Sequence, residues 1–341
     1  MKAFVIQGKD QIAMEERPIP TYKDDEVLLK MKVCGICHSD YDLIKGEYII
    51  PFTYPITPGH EWSAEVVEIG KNVKNVRPGD RVVGEANMGC GECPVCHEGG
   101  INVCPDAKHF GFQVNGADSE FFVQKAKYLH KIPETISDVN ASFIETFTVA
   151  YYGIWNSGGL DGGDVAVIYG GGSVGGCAVA AAHGMGAYTI CVEPVAFKRE
   201  IMKKVGADLV LDPVTQDVPA EILKHTGGLG ADMVVDCTGN AHAQTEALDV
   251  AKNSGRVVYI GINYDKSVPV ELGKIQVKGL KVKGSNGSPF VWERAIRFLS
   301  QTKTDLSPLM THQFPLSEAV EAFEFTKDPE TPTIKVVLVN E

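Results

Sequence analysis

Residues 164–182, DVAVIYGGGSVGGCAVAAA, contain the strongest fold signal in the chain. An apolar run from Val165 to Tyr169 precedes a cluster of glycines, and an alanine-rich stretch follows it. The apolar run is typical of a buried strand, the glycines of a tight turn, and the alanines of a helix. A helix that begins directly after such a turn presents bare backbone N–H groups to an anion. This stretch therefore predicts a strand, a phosphate-binding turn and a helix start.

The same alternation of strand and helix continues on the C-terminal side. Apolar runs at 188–193, 207–212, 231–239 and 255–261 are each followed by sequence compatible with a helix. Near-continuous apolar strands separated by helices are typical of a parallel sheet that is buried on both faces. The sequence thus predicts an α/β domain with a doubly wound parallel sheet, of the Rossmann type, over residues 147–281.

The glycine turn contains a dinucleotide fingerprint, G-x-G-x-x-G. This pattern is weak alone, but here it opens a helix directly after a strand, which is the context that a pyrophosphate site requires. Thr238, in the turn after a later strand, is expected to line the same cofactor site. The residues of the turn that we expect to bind the cofactor are Gly170, Gly172, Ser173, Val174 and Gly175.

Glu193 ends the strand that follows the glycine turn, 23 positions after Gly170. An acid at this place can accept hydrogen bonds from both adenosine ribose hydroxyls and would repel a 2′-phosphate, so the sequence favours NAD over NADP. Lys198 and Arg199 leave an alternative open, because they could hold a phosphate if the loop turned back. Their other interpretation is a solvated helix face.

A membrane span is an alternative for the uncharged stretch Val165 to Ala182, which is long enough to imitate one. Five glycines in that stretch disfavour a continuous helix. The N-terminal sequence reaches Lys9 and Asp10 before any long apolar run, unlike an ordinary secretory signal. We therefore expect a cytoplasmic protein without a membrane partner.

The charge balance argues against a nucleic-acid partner. The chain has 32 Lys and Arg against 44 Asp and Glu, a formal net charge of -12, and no local basic cluster. Its nine cysteines, in a cytoplasmic chain of 341 residues, are expected to be thiols or metal ligands rather than a disulfide framework. The expected partner is a small molecule.

Four of the cysteines, Cys90, Cys93, Cys96 and Cys104, lie within fifteen residues and are spaced C-x2-C-x2-C-x7-C. Zinc accepts four thiolates in a tetrahedron, and the loop glycines allow the backbone to fold around a metal. Reduced surface thiols are the alternative, although such spacing in one loop is unusual. A site with four protein ligands has no open position, so this pattern predicts a structural zinc.

A second metal site would need residues from distant parts of the sequence. Cys37 lies in the run GICHSD at 35–40, and His60-Glu61 follow a Pro-Gly turn. Each signal alone is weak. Cys34 and Cys37 could form a redox pair, and a single histidine is more often a hydrogen-bonded structural residue.

In their order along the chain, these pieces resemble the medium-chain zinc-dependent alcohol and polyol dehydrogenases. The order is CHSD at 37–40, GHE at 59–61, the four-cysteine lobe, Ile144-Glu145 and the glycine turn, and the likeness extends to FPL at 314–316. The resemblance implies a GroES-like β-rich catalytic domain from residues 1–146 and 282–341, joined to the Rossmann domain at 147–281.

The resemblance also implies the ligands of a catalytic zinc, for a total of two zinc ions per chain. Cys37, His60 and Glu145 would bind it, and Glu61 would lie beside the metal, able to replace or assist a ligand. Three protein ligands leave a fourth position for water or substrate. Considered alone, Glu145 could instead be an acid at a helix N-terminus.

Ser39 matches the hydroxyl that relays the substrate proton in this family. A small group that both donates and accepts a hydrogen bond suits this role. Asp42 stands where many relatives have the histidine that ends the relay, so the exit route of the proton is open.

The implied activity is reversible, NAD-linked oxidation of a secondary alcohol on a polyol, sugar or cyclitol. Glu145 in place of a cysteine is typical of the polyol branch. Oxidation of a simple alcohol, reduction of an aldehyde or oxidation of an amino alcohol are alternatives, because Val277 to Ser288 lacks the arginine of polyol relatives. A non-catalytic nucleotide-sensing homologue is a further alternative, although neither the ligand set nor the glycine turn is incomplete. Family members suggest a homodimer or homotetramer.

Overall fold

The computed structural model describes residues 1–263, 267–327 and 331–340, which divide into two units. The first unit comprises Met1–Glu145, Trp292–Lys303 and the chain from Met310 onward. The second comprises Thr146–Val291 and Thr304–Leu309. Each unit has its own sheet and its own apolar core.

The strands of the described residues are numbered in chain order. They are β1 (Lys2–Gly8), β2 (Gln11–Glu16), β3 (Glu26–Gly35), β4 (Glu61–Ile69), β5 (Arg81–Gly84), β6 (Asn87–Met88), β7 (Lys108–His109), β8 (Phe121–Lys125), β9 (Leu129–Lys131), β10 (Val165–Tyr169), β11 (Tyr188–Val192), β12 (Leu209–Leu211), β13 (Ala231–Asp236), β14 (Ala251–Tyr259), β15 (Lys281–Gly284), β16 (Met310–Pro315) and β17 (Lys335–Val339).

The α-helices of the described residues are numbered in the same way. They are α1 (His38–Lys45), α2 (Pro94–His97), α3 (Asp138–Ser142), α4 (Ile144–Trp155), α5 (Ser173–Gly184), α6 (Ala196–Lys204), α7 (Val218–His225), α8 (Ala241–Val250), α9 (Leu272–Lys278), α10 (Trp292–Thr302) and α11 (Ala319–Phe325).

The second unit is built on a six-stranded sheet in the order β12-β11-β10-β13-β14-β15, in which every neighbouring pair is parallel. Its central strands each have an apolar middle, and Val167, Ile190, Val234 and Val257 are fully buried. Helices connect the strands, as parallel neighbours require. The predicted doubly wound parallel sheet is confirmed.

The uncharged stretch that could imitate a membrane span divides into β10, a glycine turn and α5. In the ranges that the structure describes, no helix combines the length and the apolar character needed to cross a membrane. The two short elements are explained by the glycines between them, which disfavour a continuous helix.

The boundaries of the units differ from those expected from the sequence. Strand β15 pairs in parallel with β14, so the second unit continues past residue 281 to Val291. Residues 304–309 also belong to it, because Leu309 packs against Gly176 of α5. The lysines of β15 gave no sign in the sequence that this short run would extend the parallel sheet.

The first unit is β-rich, as predicted. Its seven-stranded sheet runs β16-β17-β3-β4-β5-β9, and β8 also pairs with β3. An aromatic core lies against this sheet: the ring of Trp62 is 4.8 Å from that of Phe122 and 6.0 Å from that of Phe110, centroid to centroid. All three side chains are buried.

Candidate functional site

Strand pairing in the first unit brings Cys37 beside His60 and Glu61. Strand β3 is antiparallel to β4, with Gly35 opposite Glu61, and Gly35 also lies opposite Val337 of β17. The end of β3, the start of β4 and the start of β17 therefore meet. Residues that are far apart in sequence, such as Gly35 and Val337, become neighbours through this register.

The Cys37 sulfur, a His60 ring nitrogen and a Glu61 carboxylate oxygen all lie within 4.8 Å of one another. His60 and Glu61 are buried, and Cys37 is half-buried. One thiolate, one imidazole and one carboxylate form a donor set that suits zinc, and three protein ligands leave an open position. We call Cys37, His60 and Glu61 the mixed-donor cluster.

Asp40 contacts two residues of the mixed-donor cluster, Cys37 and His60. Its Oδ2 accepts a hydrogen bond from the Cys37 N–H at 2.8 Å, and its Oδ1 lies 3.6 Å from Nδ1 of His60. Burial lowers the pKa of His60, but the negative charges of Cys37 and Asp40 outweigh it and set that pKa well above the ordinary value. A cluster that attracts a proton in this way also attracts a metal cation.

Glu145 lies in the first turn of α4 and is not among the three clustered groups. Burial and the negative charge of Glu61 raise the pKa of Glu145 to about 7, while His60 and Lys335 act in the opposite direction. The carboxyl is thus within electrostatic reach of the cluster. Of the carboxylates singled out from the sequence, the structure brings Glu61 closest to Cys37 and His60.

Ser39 occupies the first turn of α1. Its Oγ is buried and, within the described residues, accepts and donates no hydrogen bond. A buried hydroxyl without a partner costs free energy, so this atom suits a group that a ligand satisfies. Asp42 of the same helix lies 3.8 Å from Nε2 of the exposed His38.

Lys335 was not identified from the sequence, yet it is part of this site. It is 4% exposed, its Nζ lies 2.5 Å from Oε2 of Glu61, and it donates a hydrogen bond to the Ile36 carbonyl at 3.0 Å. A Cβ at Gly35 would come within 2.8 Å of Glu61 Oε2, so the glycine provides room for this pair. The sequence signal that could have indicated a buried lysine was its place near the start of the apolar run IKVVLV at 334–339.

Two aromatic residues also lie beside the cluster and gave no sequence signal. The Phe112 ring is 5.1 Å from that of His60, and the Tyr48 ring stacks on Phe112 at 4.7 Å. Burial raises the pKa of Tyr48 to about 12, so its phenol stays protonated at neutral pH. These rings supply an apolar wall with one hydroxyl.

The four-cysteine lobe has the geometry of a closed metal site. Four sulfurs placed tetrahedrally at 2.3 Å from a zinc ion lie about 3.8 Å from one another. The distances are 3.9 Å from Cys90 to Cys96, 3.8 Å from Cys93 to Cys104 and 3.6 Å from Cys104 to Cys90, sulfur to sulfur. The donor set and its spacing fit zinc.

Backbone N–H groups surround the sulfurs of the lobe. Those of Glu92 and Cys93 both donate to Cys90 Sγ at 3.4 Å, and together they lower the pKa of Cys90 to about 7. Gly91, between Cys90 and Glu92, has a φ of 83°, which a residue with a side chain rarely adopts. The turn thus directs N–H groups at sulfur, which favours the thiolate.

In the second unit, the glycine turn lies between β10 and the N-terminus of α5. Gly172 is the N-cap, and Ser173 and Val174 form the first turn. A Cβ at Gly175 would come within 1.8 Å of the Gly170 carbonyl oxygen, so only glycine permits this close packing. The N–H groups at this helix start form the expected place for a pyrophosphate.

Glu193 and Thr238 border the glycine turn. Glu193 is buried, and its Oε2 accepts a hydrogen bond from the Gly171 N–H at 2.6 Å. Thr238 donates through its hydroxyl to the buried Asp236 at 2.5 Å, and its methyl group lies near Gly170. The structure therefore brings together the residues that the sequence proposed for a dinucleotide.

Two protein-family models match the chain. The model described as an alcohol dehydrogenase GroES-like domain matches residues 23–134, and the model described as a zinc-binding dehydrogenase matches residues 173–301. The first match includes the mixed-donor cluster and the four-cysteine lobe. The second begins within the glycine turn.

Similar proteins match nearly the whole chain. It is 32% identical over 335 residues to D-arabitol-phosphate dehydrogenase of Enterococcus avium, covering 97% of this chain and 94% of that protein. It is 31% identical over 346 residues to sorbitol dehydrogenase of Halalkalibacterium halodurans, covering 99% of each. A zinc-binding dehydrogenase structure from Sinorhizobium meliloti 1021, bound to NADP, superposes with a TM-score of 0.93 at 31% identity, covering 99% of this chain and 98% of that one.

Proposed function

The chain belongs to the zinc-dependent medium-chain alcohol dehydrogenase family, and we propose that it reversibly oxidises a secondary alcohol on a polyol, sugar or cyclitol to a ketone. The observation that carries this proposal is the mixed-donor cluster, which offers three zinc-type donors beside the buried Ser39 hydroxyl. Two relatives that act on polyols or their phosphates, by name, match it from end to end.

We propose that Cys37, His60 and Glu145 hold the catalytic zinc and that Glu61 assists them. A bound zinc supplies a Lewis acid that makes an alcohol more acidic, and NAD supplies the hydride acceptor. Asp40 keeps His60 and the Cys37 backbone in place for this task, as carboxylates commonly do for a metal-binding histidine. Lys335 balances the negative charge of Glu61.

Ser39 accepts the proton of the alcohol in this proposal. Its Oγ is a donor and an acceptor at once, so it can take one proton while passing on its own. Asp42, three positions later on α1, replaces the histidine of many relatives and is half-exposed, which makes it a candidate for the next proton acceptor.

We propose that the four-cysteine lobe holds a second zinc with a structural role. Its sulfur spacing leaves no place for a substrate atom, since all four tetrahedral positions are protein ligands. Binding energy of such a site adds to the folding free energy.

The proposed cofactor is NAD rather than NADP. The Glu193 carboxylate, at the end of β11, lies where an adenosine ribose would meet the glycine turn and would repel a 2′-phosphate. Gly170, Gly172, Ser173, Val174 and Gly175 would bind the pyrophosphate, and Thr238 would border it.

The test of the proposed function is a screen of NAD reduction by the purified protein. It compares polyols, sugar alcohol phosphates and cyclitols with amino alcohols and simple primary alcohols. The proposal expects the highest kcat/KM for a compound of the first group. A preference for a simple or amino alcohol would contradict the substrate class, and turnover of none, in a zinc-loaded protein that binds NAD, would favour a nucleotide-sensing role.

The third zinc ligand can be identified with two matched variants, Glu145→Gln and Glu61→Gln. Each removes one charge and keeps the shape. We expect Glu145→Gln to weaken zinc retention more than about 100-fold, beyond the roughly 10- to 100-fold cost of losing a supporting group, and Glu61→Gln to weaken it less. Competition with a fluorescent chelator measures both. The reverse order would assign the third ligand to Glu61.

We further propose that two copies of the chain associate through β15, as a homodimer or within a homotetramer. Strand β15 ends the sheet order, all four of its residues are exposed, and Leu272 and Val277 of the adjoining α9 are exposed too. An uncovered strand edge with apolar neighbours is suited to pairing with another strand. Light scattering after size-exclusion chromatography tests it, and a monomer at micromolar concentration would contradict it.

A cytoplasmic location is also proposed. All nine cysteines are free thiols in the structure, and four of them form the lobe, which requires a reducing environment to stay available for metal. Fractionation of cells that produce the tagged protein, with thiol labelling of the lobe, tests this location. Recovery with the periplasmic or secreted fraction would contradict it.

A further inference from the structure

Two acidic residues stand side by side at one edge of the parallel sheet in the second unit. Val192 of β11 lies opposite Leu211 of β12, and the Glu193 N–H donates to the Leu211 carbonyl at 3.0 Å. Glu193 and Asp212 are the next residues of the two strands. Because parallel strands end at the same edge of a sheet, Glu193 and Asp212 are neighbours at that edge.

Arg199 of α6 lies against this pair of strand ends. Its Nη1 donates to the carbonyl oxygens of Glu193 and Pro194, at 3.0 and 2.6 Å. Its Nη2 lies 3.2 Å from Oδ2 of Asp212. Both hydrogens of Nη1 are thus engaged, and the guanidinium bridges the turn after β11 to the end of β12.

Asp212 is itself held by its own turn. Its Oδ1 accepts a hydrogen bond from the Val214 N–H at 2.9 Å, and its N–H donates to the Gln216 side chain at 2.7 Å. Asp212 and Arg199 are about four-fifths buried, with side chains 18% and 21% exposed. A carboxylate fixed in this way holds its partner more firmly than a solvated pair would.

We propose that Asp212 is a specificity-determining residue for the cofactor, because it keeps the Arg199 guanidinium away from a 2′-phosphate. This inference rests on the proposed NAD site at Glu193. An arginine beside the ribose is the usual partner of a 2′-phosphate, and it binds phosphate through two parallel N–H groups. Here Arg199 is tied to two carbonyls and a carboxylate, so a phosphate would meet Glu193 and Asp212 without a free guanidinium.

The arrangement also decides between the two interpretations of Arg199. Arg199 faces the strand ends rather than the solvent, and its guanidinium is hydrogen-bonded to the turn that carries Glu193. Loss of the Asp212 charge should therefore release Arg199 and improve binding of NADP. Removing Glu193 alone leaves the arginine tied.

The test compares binding of NAD and NADP by isothermal titration calorimetry in four zinc-loaded proteins: wild type, Asp212→Asn, Glu193→Ser and the double variant. We expect Asp212→Asn to bind NADP about 10-fold more tightly, the value of one charge-assisted contact, with NAD affinity changed less than about 3-fold. The double variant should gain more for NADP than the product of the single gains. Asp212→Ser provides the same test if the asparagine variant is unstable.

Two matched controls identify the cation responsible. In the Asp212→Asn background, Arg199→Ala should abolish the gain for NADP, and Lys198→Ala should leave it. Unchanged NADP affinity in Asp212→Asn and Asp212→Ser, or a gain that depends on Lys198, would overturn the role of Asp212 while NAD binding stays intact. Failure of the wild type to bind NAD would instead overturn the proposed cofactor site.

Discussion

The four-cysteine lobe and the mixed-donor cluster both suit zinc, but they are assembled in opposite ways. The lobe takes four identical donors from fifteen consecutive residues, and its backbone N–H groups stabilise the sulfurs locally. The cluster takes three different donors from just after the end of β3 and from the start of β4. Lys335 of β17 balances its negative charge. Local assembly gives a closed site, and long-range assembly leaves a position open for chemistry.

This difference separates stability from turnover. A closed site ties one loop to itself, so losing its metal affects folding. The open site lies among residues that the sheet already holds in place, so losing its metal affects the reaction.

Crossed cysteine variants test the separation most strongly. Cys37→Ser should lower kcat by at least about 10⁴-fold, because the Lewis acid accounts for several kcal/mol of transition-state stabilisation, while the thermal midpoint stays near that of the wild type. Cys96→Ser should lower the midpoint and make the protein sensitive to a chelator. Steady-state rates and thermal unfolding measure both. Equal loss of stability in the two variants, with no selective loss of rate, would contradict it.

Lys335→Met should destabilise the first unit by about 3–5 kcal/mol, because it leaves Glu61 as a buried charge without its partner. The double variant Lys335→Met/Glu61→Gln removes both charges and should recover most of that loss. Urea unfolding compares the free energies of unfolding of the two. If the single variant is as stable as the wild type, the buried pair does not support the cluster.

Ser39→Ala should retain zinc and slow turnover on the order of 10²-fold, the usual contribution of a positioned proton-transfer group. The fold should be unaffected, since the hydroxyl makes no hydrogen bond in the described residues. Zinc content and kcat are measured together, and Ser39→Thr, which keeps a hydroxyl, serves as the matched control. Full activity in Ser39→Ala would eliminate the relay.

His130 provides a charged reference in the same unit that involves no metal. It lies between Glu85 at 3.1 Å and Glu293 at 2.9 Å and stacks on Trp292. Burial lowers the pKa of His130, but hydrogen bonds to the two carboxylates outweigh it and raise that pKa. The protonated form therefore stabilises the fold, fully below the ordinary histidine pKa of about 6.5, and this stability is lost as the pH rises through the raised value.

His130→Gln should accordingly cost more stability at pH 6 than at pH 9, with a difference on the order of 1 kcal/mol. Urea unfolding at both pH values measures it. A difference between wild type and variant that does not change with pH would contradict the role of the charged form.

The Rossmann sheet and the lobe were predictable because their signals are local. The strand, glycine turn and helix of 164–182 and the cysteine spacing of 90–104 each lie within one short stretch. Lys335 and Asp212 were not identified, because their roles depend on which strands become neighbours. Register places Lys335 beside Glu61 and Asp212 beside Glu193, and no spacing in the sequence records it.

The choice of third zinc ligand between Glu145 and Glu61 stays a prediction. Family resemblance suggested Glu145 as the third ligand, with Glu61 beside the metal, whereas in the structure Glu61 is the carboxylate that clusters with Cys37 and His60. The two carboxyls interact electrostatically, since the charge of Glu61 raises the pKa of Glu145. Glu145 lies at a helix start and Glu61 at a strand start, and neither position indicates in the sequence which carboxylate lies nearer Cys37 and His60.

Zinc stoichiometry shows whether one closed and one open site coexist in the chain. Elemental analysis of the purified wild type should give two zinc ions per chain, and Cys37→Ser and Cys93→Ser should each give one, with turnover lost in the first and stability lost in the second. A folded and active wild type with one zinc per chain would contradict the account.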